Sequence, residues 1–327
     1  MKPVTTEGVL ARDAAAMRAV ALTRNELRHR IVALANDASI ALTPRSRASL
    51  GVLAGLLPAG TEVYVVHPQQ ARLDDVVETA LAVQARGWQA RPHIVVRSLV
   101  SAPQLRDALA TLRGGGVDRI LLTGGDRNSP AGPYASSLDL LATDMLAGSG
   151  ITDVAVVACP DGHRTIGPGL LWSAMAAKQA YAVRTGTRMH VVTQFGFNPA
   201  AVGEWTEHAR RRGIGLPVHA GLAGPASMPA LIHAAMRCGI GNSMHALTMS
   251  TSALAQRTPL AIAVEQAFVD LVRAACAPAS AIERLHLFCV GGCVEAARWL
   301  ARVRDGAFDL GDDGAHIAFD AGRRPAS

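Results

Sequence analysis

Short aliphatic and β-branched runs recur along the chain, separated by longer stretches whose apolar residues repeat every three or four positions. Runs of the first kind predict strands buried on both faces, and stretches of the second predict amphipathic helices. Strands are expected at SIALT (39–43), EVYVVH (62–67), PHIVVR (92–97), RILLT (119–123), DVAVVAC (153–159), MHVVTQF (189–195), PVHAGL (217–222) and HLFCV (286–290). Helices are expected between them, for example ARLDDVVETALAVQARG, SAPQLRDALATLRGGG and GPGLLWSAMAAKQAYAVRTG. Several close on glycine, the residue that most easily takes the left-handed backbone of a helix end.

Eight strands alternating with helices predict an α/β fold, a (β/α)8 TIM barrel. No strand opens into a G-x-G-x-x-G turn, which disfavours a doubly wound dinucleotide-binding sheet. Residues 1–34 read as an N-terminal helical extension, 35–305 as the barrel and 306–327 as a C-terminal tail. Extra helices are expected near 225–237, 241–256 and 259–276, between the seventh and eighth strands.

Composition narrows the function classes. Half of the residues are hydrophobic but only 4% are aromatic, and the net charge of +6 comes from scattered arginines. The longest basic run, Arg210 to Arg212, reads as a solvated helix end, and no basic stripe interleaves with aromatics, so nucleic acid is not expected as a partner. No apolar stretch is long enough to span a bilayer. Five cysteines at irregular spacing, with no apolar leader at the N-terminus, predict reduced thiols in a cytoplasmic protein. Cys289 and Cys293 lack partner ligands at zinc-site spacing, so no metal is expected there.

In such a barrel the chemistry lies at the C-terminal ends of the strands. There the sequence supplies Thr43 and Pro44, His67, Arg97, Asp126, Asp161 with His163, Gln194, Gly221, and Gly291 with Gly292, while His93 sits inside the third strand. Asp126 ends the stretch ILLTGGD and reads either as a functional carboxylate or as a cap for the next helix.

Three of these segments resemble the methylenetetrahydrofolate reductase family. LLTGGDRNSPAGPYASSLDLL is similar to its fourth-strand segment, Arg-Gly-Asp followed by Tyr-Ala-Ser-Asp-Leu, through Gly125, Asp126, Tyr134, Ala135 and Ser136. VAVVACPDGHRTI resembles its Pro-Glu-x-His segment through Pro160 and His163, with Asp161 replacing glutamate, and VVTQFGFN resembles Thr-Gln-Phe-Phe-Phe-Asp through Thr193, Gln194, Phe195 and Phe197. The matches run in order from about residue 38 to 305. The resemblance implies a barrel that binds reduced folate as substrate, FAD in most members, and NADH or NADPH as the hydride source. It implies Asp126 as the catalytic carboxylate beside the cofactor and the folate. His93, Gly125, Tyr134, Ala135, His163 and Lys178 would be cofactor contacts, and Gln194 and Phe197 would hold the folate.

Two departures bear on that activity. The family's first strand carries a glutamate that protonates the folate ring nitrogen, and here the aligned residue is Ala41, with no Asp or Glu from Ser39 to Leu57. The helix after the fifth strand offers mainly Lys178 to a flavin pyrophosphate, and the arginine before Gly-Asp is Gly124. The expected function is therefore a divergent reductase-like protein of folate one-carbon metabolism. A catalytically silent folate-binding subunit working with a partner or as a homo-oligomer is the alternative. A metal-dependent hydrolase using His67, His93, Asp126, His163 and His219 is a third.

Overall fold

The structure is a computed structural model that describes residues 22–196, 198–238, 260–278, 280–311 and 314–319. Phe197 and the helix expected near 241–256 lie outside the described residues. Eight parallel strands form a closed barrel in sequence order: β1 (Ser39–Leu42), β2 (Glu62–Val65), β3 (Gln89–Val95), β4 (Arg119–Thr123), β5 (Asp153–Ala158), β6 (Arg188–Thr193), β7 (Val218–Ala223) and β8 (Ile282–Phe288). Closure is set where Ser39 pairs with His286 across β1 and β8. This is the expected (β/α)8 TIM barrel.

Ten helices are described. α1 (Arg24–Asn36) opens on a reciprocal cap: the Glu26 carboxylate accepts from the Thr23 N–H at 2.8 Å, and the Thr23 hydroxyl accepts from the Glu26 N–H. It buries Leu27, Ile31 and Ala35, four residues apart on one stripe. α2 (Leu50–Leu53), α3 (Leu73–Gln84), α4 (Ala102–Gly114) and α5 (Ser137–Leu141) follow the first four strands, and α6 (Pro168–Thr185) and α7 (Pro199–Arg211) follow β5 and β6. α8 (Met228–Cys238) and α9 (Leu260–Ala275) lie between β7 and β8, and α10 (Cys293–Arg304) follows β8. Arg28 donates to the carbonyls of Gly306 and Phe308, tying α1 to the chain beyond α10. That chain forms a two-stranded antiparallel sheet, β9 (Asp309–Leu310) with β10 (Ile317–Ala318).

Two strands start earlier than the hydrophobic pattern predicts, β3 by three residues and β8 by four. The early residues carry charge, which reads as loop in a linear pattern but here faces the barrel axis. Arg91, 1% exposed, donates from Nε to Glu62 Oε1 at 2.6 Å, and its Nη1 lies 2.9 Å from Asp153 Oδ1. Arg284 Nη1 reaches Glu62 Oε2 at 2.8 Å and its other end pairs with Asp37. The N-terminal end of the barrel is thus plugged by compensating charges, as buried ions require.

One layer further along, the interior holds Tyr64, His190, His219 and His286, all buried. Tyr64 Oη lies 3.0 Å from His190 Nε2, His190 stacks on His219 with centroids 3.9 Å apart, and Ser39 Oγ lies 2.8 Å from His286 Nδ1. Burial is the first cause that lowers each of these imidazoles, and for His286 it holds the pKa down to about 3. Above them, small and aliphatic residues, Ala41, Leu121, Ala155 and Val192, pack against Tyr64. Outside the barrel, the large core cluster fills the space between strands and helices.

Candidate functional site

At the C-terminal mouth, strand alternation brings Val66, Val157 and Phe288 toward the axis, two positions beyond Tyr64, Ala155 and His286. All three are only partly buried, and Phe288 meets His286 edge to face at 4.6 Å. His93 also faces inward, edge to face with Tyr64, and its Nε2 is buried without a hydrogen-bond partner. Burial, then the neighbouring His286, His67 and Arg91, push the His93 pKa down to about 3. At neutral pH it is an uncharged imidazole that can accept or donate a hydrogen bond but holds no ready acidic proton.

The β4 turn is shaped by glycine. Gly125 has φ +89, and a Cβ there would overlap Val95 Cγ1 on β3. Its role is conformational: it swings Asp126 out to an exposed position on the rim. Asp126 makes no ion pair or side-chain hydrogen bond to another described residue. It is not a helix cap. The N-terminus of α5 is capped by Ser136, whose hydroxyl accepts from the Asp139 N–H while the Asp139 carboxylate accepts from the Ala135 and Ser136 N–H groups.

Arg97 holds the whole 124–136 loop in place. Its guanidinium donates to three backbone carbonyls, Arg127 at 2.7 Å, Asn128 at 2.6 Å and Ala135 at 2.8 Å. The Arg97 backbone joins Gly124 and Ala131 as well. Its position after the third strand was legible, but the fork of acceptors comes from a loop 30 residues away and has no signature in sequence. Tyr134, 5% exposed, packs into the core rather than onto the rim, so its contribution is to anchor the loop, and Ala135 contributes its carbonyl to Arg97.

After β5, His163 Nδ1 accepts the N–H groups of Thr165 and Ile166, each at 3.2 Å, which leaves its proton on Nε2. At the end of β6, the Thr193 hydroxyl accepts from the Gly221 N–H at 2.8 Å, and Gln194 follows, half-buried. A Cβ at Gly221 would overlap the Thr193 carbonyl oxygen and lie 2.8 Å from that of Gln194, so β6 and β7 converge here only because residue 221 is glycine.

Lys178 lies behind the β5 end of this rim. It is on the third turn of α6, 8% exposed, and lines a cavity of about 360 Å³ between α6, α7 and the 157–162 segment. The indoles of Trp172 and Trp205 stack beside it with centroids 5.4 Å apart. The helical spacing could have revealed this cleft: Leu171, Met175 and Lys178 share one face of α6, and Ala201, Glu204, Trp205 and His208 share one face of α7.

His93 therefore lies on β3, while Asp126, His163 and Gln194 follow the ends of β4, β5 and β6 by three, five and one residues. The five residues of the metal-hydrolase reading do not converge: His67 donates to the Ala71 carbonyl, His219 is stacked deep in the barrel, and His163 is bound to backbone amides. Among the described residues no group of three or more His, Cys, Asp or Glu could hold a metal ion. Among them too, no helix is long and apolar enough to cross a membrane.

No family model matches the chain. Among solved structures it is similar to the crystal structure of dihydropteroate synthase (FolP) from Thermus thermophilus, at 16% identity and a TM-score of 0.42, over 82% of this chain and 92% of that one. At that level the likeness carries no conclusion about a ligand, and the barrel rests on its own strand pairing.

Proposed function

We propose that the protein binds a reduced folate over the C-terminal mouth of its barrel and acts in folate one-carbon chemistry, on the interconversion of methylene- and methyl-tetrahydrofolate or a closely related reaction. The observation that supports this reading is the run of His93, Asp126, His163 and Gln194 on or after the consecutive strands β3 to β6, at the barrel end that carries the partly exposed Val66, Val157 and Phe288, in the order the reductase resemblance requires. A flat heterocycle fits an apolar floor with a few convergent polar groups. Gln194 pairs with the ring edge, and Asp126, exposed and without an internal ion pair among the described residues, faces the positive charge that develops on the reacting carbon and nitrogen.

The proton needed to open the folate ring does not come from β1. Ala41 is 2% exposed and packed against Tyr64, and His93 is neutral. Losing a general acid lowers the rate by roughly 10² to 10⁴, so turnover by this chain is slow unless solvent or a partner supplies that proton. The residues fit a flavin poorly. Arg97 is engaged by three carbonyls, the first two turns of α6 carry no basic residue, and Lys178 is buried between α6 and α7. A reduced nicotinamide, NADH or NADPH, would supply the hydride directly. The same Ala41 favours the second reading, a folate-binding subunit without activity of its own.

Calorimetry with tetrahydrofolate, 5-methyl- and 5,10-methylenetetrahydrofolate is the test, paired with turnover assays using NADH or NADPH. Binding with turnover supports the enzyme. Binding without turnover selects the accessory subunit, and absence of heat at high micromolar folate sinks both. A visible absorption spectrum with a flavin band would overturn the flavin-free reading.

A further inference from the structure

The cleft between α6 and α7 is built like a ligand site and opens beside the mouth, with Val157 and the 158–162 segment in its wall. Its volume of about 360 Å³ suits a small organic molecule. One side is apolar, with Leu171, Met175 and the stacked Trp172 and Trp205. At its inner end Lys178 is more than nine-tenths buried, and among the described residues no carboxylate lies within ion-pair distance of it. Asp161 and Glu204 line the cavity too, and Glu204 sits at its exposed edge.

A buried amine with no counter-ion is costly as a cation, and burial does lower its pKa, opposed by the neighbouring Cys159 thiol. An incoming anion would remove that cost. The anion must bring little charge and need few donors. Lys178 stands ten residues into α6, out of reach of the free N–H groups of the first turn, so a tetrahedral phosphate would meet one ammonium and the His208 imidazole but none of those amides. A carboxylate on a flat ring matches a single ammonium and an indole-lined wall.

We propose that this cleft binds a small aromatic carboxylate, its ring bordered by Trp172 and Trp205 and its carboxylate on Lys178 Nζ. The site stands whether or not the mouth takes a folate, and it gives Lys178 a role other than a flavin phosphate contact.

Tryptophan fluorescence reads it directly, with 2-naphthoate as probe and the uncharged 2-naphthamide as control. The wild-type protein should show saturable quenching by naphthoate, with affinity at least about tenfold above that for the amide, one charge-assisted bond's worth. Lys178→Met should bring the two affinities together, and Trp172→Phe with Trp205→Phe should remove the signal. Equal affinity of acid and amide in the wild type, or no saturable quenching, overturns the proposal without any variant. Retention of the preference in Lys178→Met overturns it as well.

Discussion

Tyr64 and His190 meet at the centre of the barrel, phenol oxygen to Nε2 at 3.0 Å. Asp153 lies 3.5 Å from the opposite ring nitrogen, so the imidazole proton sits on Nδ1 and Nε2 accepts from the hydroxyl. Tyr64→Phe deletes the donor and leaves a buried nitrogen without a partner, at a cost of about 1–3 kcal/mol. Equilibrium unfolding in urea should show the loss as a lower midpoint at unchanged slope. An unaltered midpoint would mean that water already reaches this nitrogen.

Arg91 is more exacting. It is the shared partner of Glu62 and Asp153, and Arg91→Met would leave Glu62 with Arg284 alone and take from Asp153 its nearest cation. Breaking a buried ion network from one side costs about 3–5 kcal/mol. Glu62 and Asp153 are both held below the usual carboxylate range, burial pushing them up but Arg91 and His190 outweighing it. Adding Glu62→Gln to Arg91→Met should recover part of the stability, and strict additivity of the two losses would show the pair to be uncoupled.

Acid should destabilise the fold well before its carboxylates protonate. His93 and His286 titrate near 3 in the folded protein against an ordinary value of 6.5, and His67, His190 and His219 are lowered as well. Between those values the unfolded chain binds more protons than the native one, so stability is full above about 6.5 and falls as pH drops toward 3. Each neutral imidazole contributes a slope of about 1.4 kcal/mol per pH unit in that window. Unfolding free energies measured by urea at pH values of about 7, 6 and 5 should decline steadily, and a flat profile would require these rings to be protonated or hydrated in the native state.

The barrel was legible because its outer face obeys simple rules: aliphatic strands, amphipathic helices, glycine at helix ends. Its inner face was not. Arg91, His190, Arg284 and His286 break the apolar pattern of their strands, and only the assembled sheet shows that each has a polar partner on another strand. The positions of Asp126, His163 and Gln194 after β4, β5 and β6 were legible from where the apolar runs end. The fork of acceptors on Arg97 was not, because it comes from a loop 30 residues away, whereas the α6–α7 cleft shows in sequence only as the helical spacing of its lining residues.

Gly125 tests the turn that carries Asp126. Ala at this position meets both the positive φ and the Val95 side chain. The backbone term alone costs about 1 kcal/mol or more, and the overlap adds to it. Gly125→Ala with Val95→Ala should relieve the overlap and keep the backbone strain, so the double variant should unfold at an intermediate temperature. If the single and double variants coincide, Val95 is not the obstacle.

Arg97→Lys keeps the charge and removes the fork. One ammonium cannot span carbonyls at residues 127, 128 and 135, so the loop loses at least two of its three side-chain ties. Each is a hydrogen bond from a charged donor, worth about 1.5–3 kcal/mol where shielded and less on this partly exposed rim. The barrel itself does not depend on them. Amide hydrogen exchange across 124–136 should therefore accelerate in the variant while β4 and β5 stay protected. Folate affinity should fall with the loop, because Asp126 is aimed by it. Unchanged exchange in the loop together with weakened binding would place Arg97 against the ligand itself, and unchanged binding with a loosened loop would remove Asp126 from the folate site.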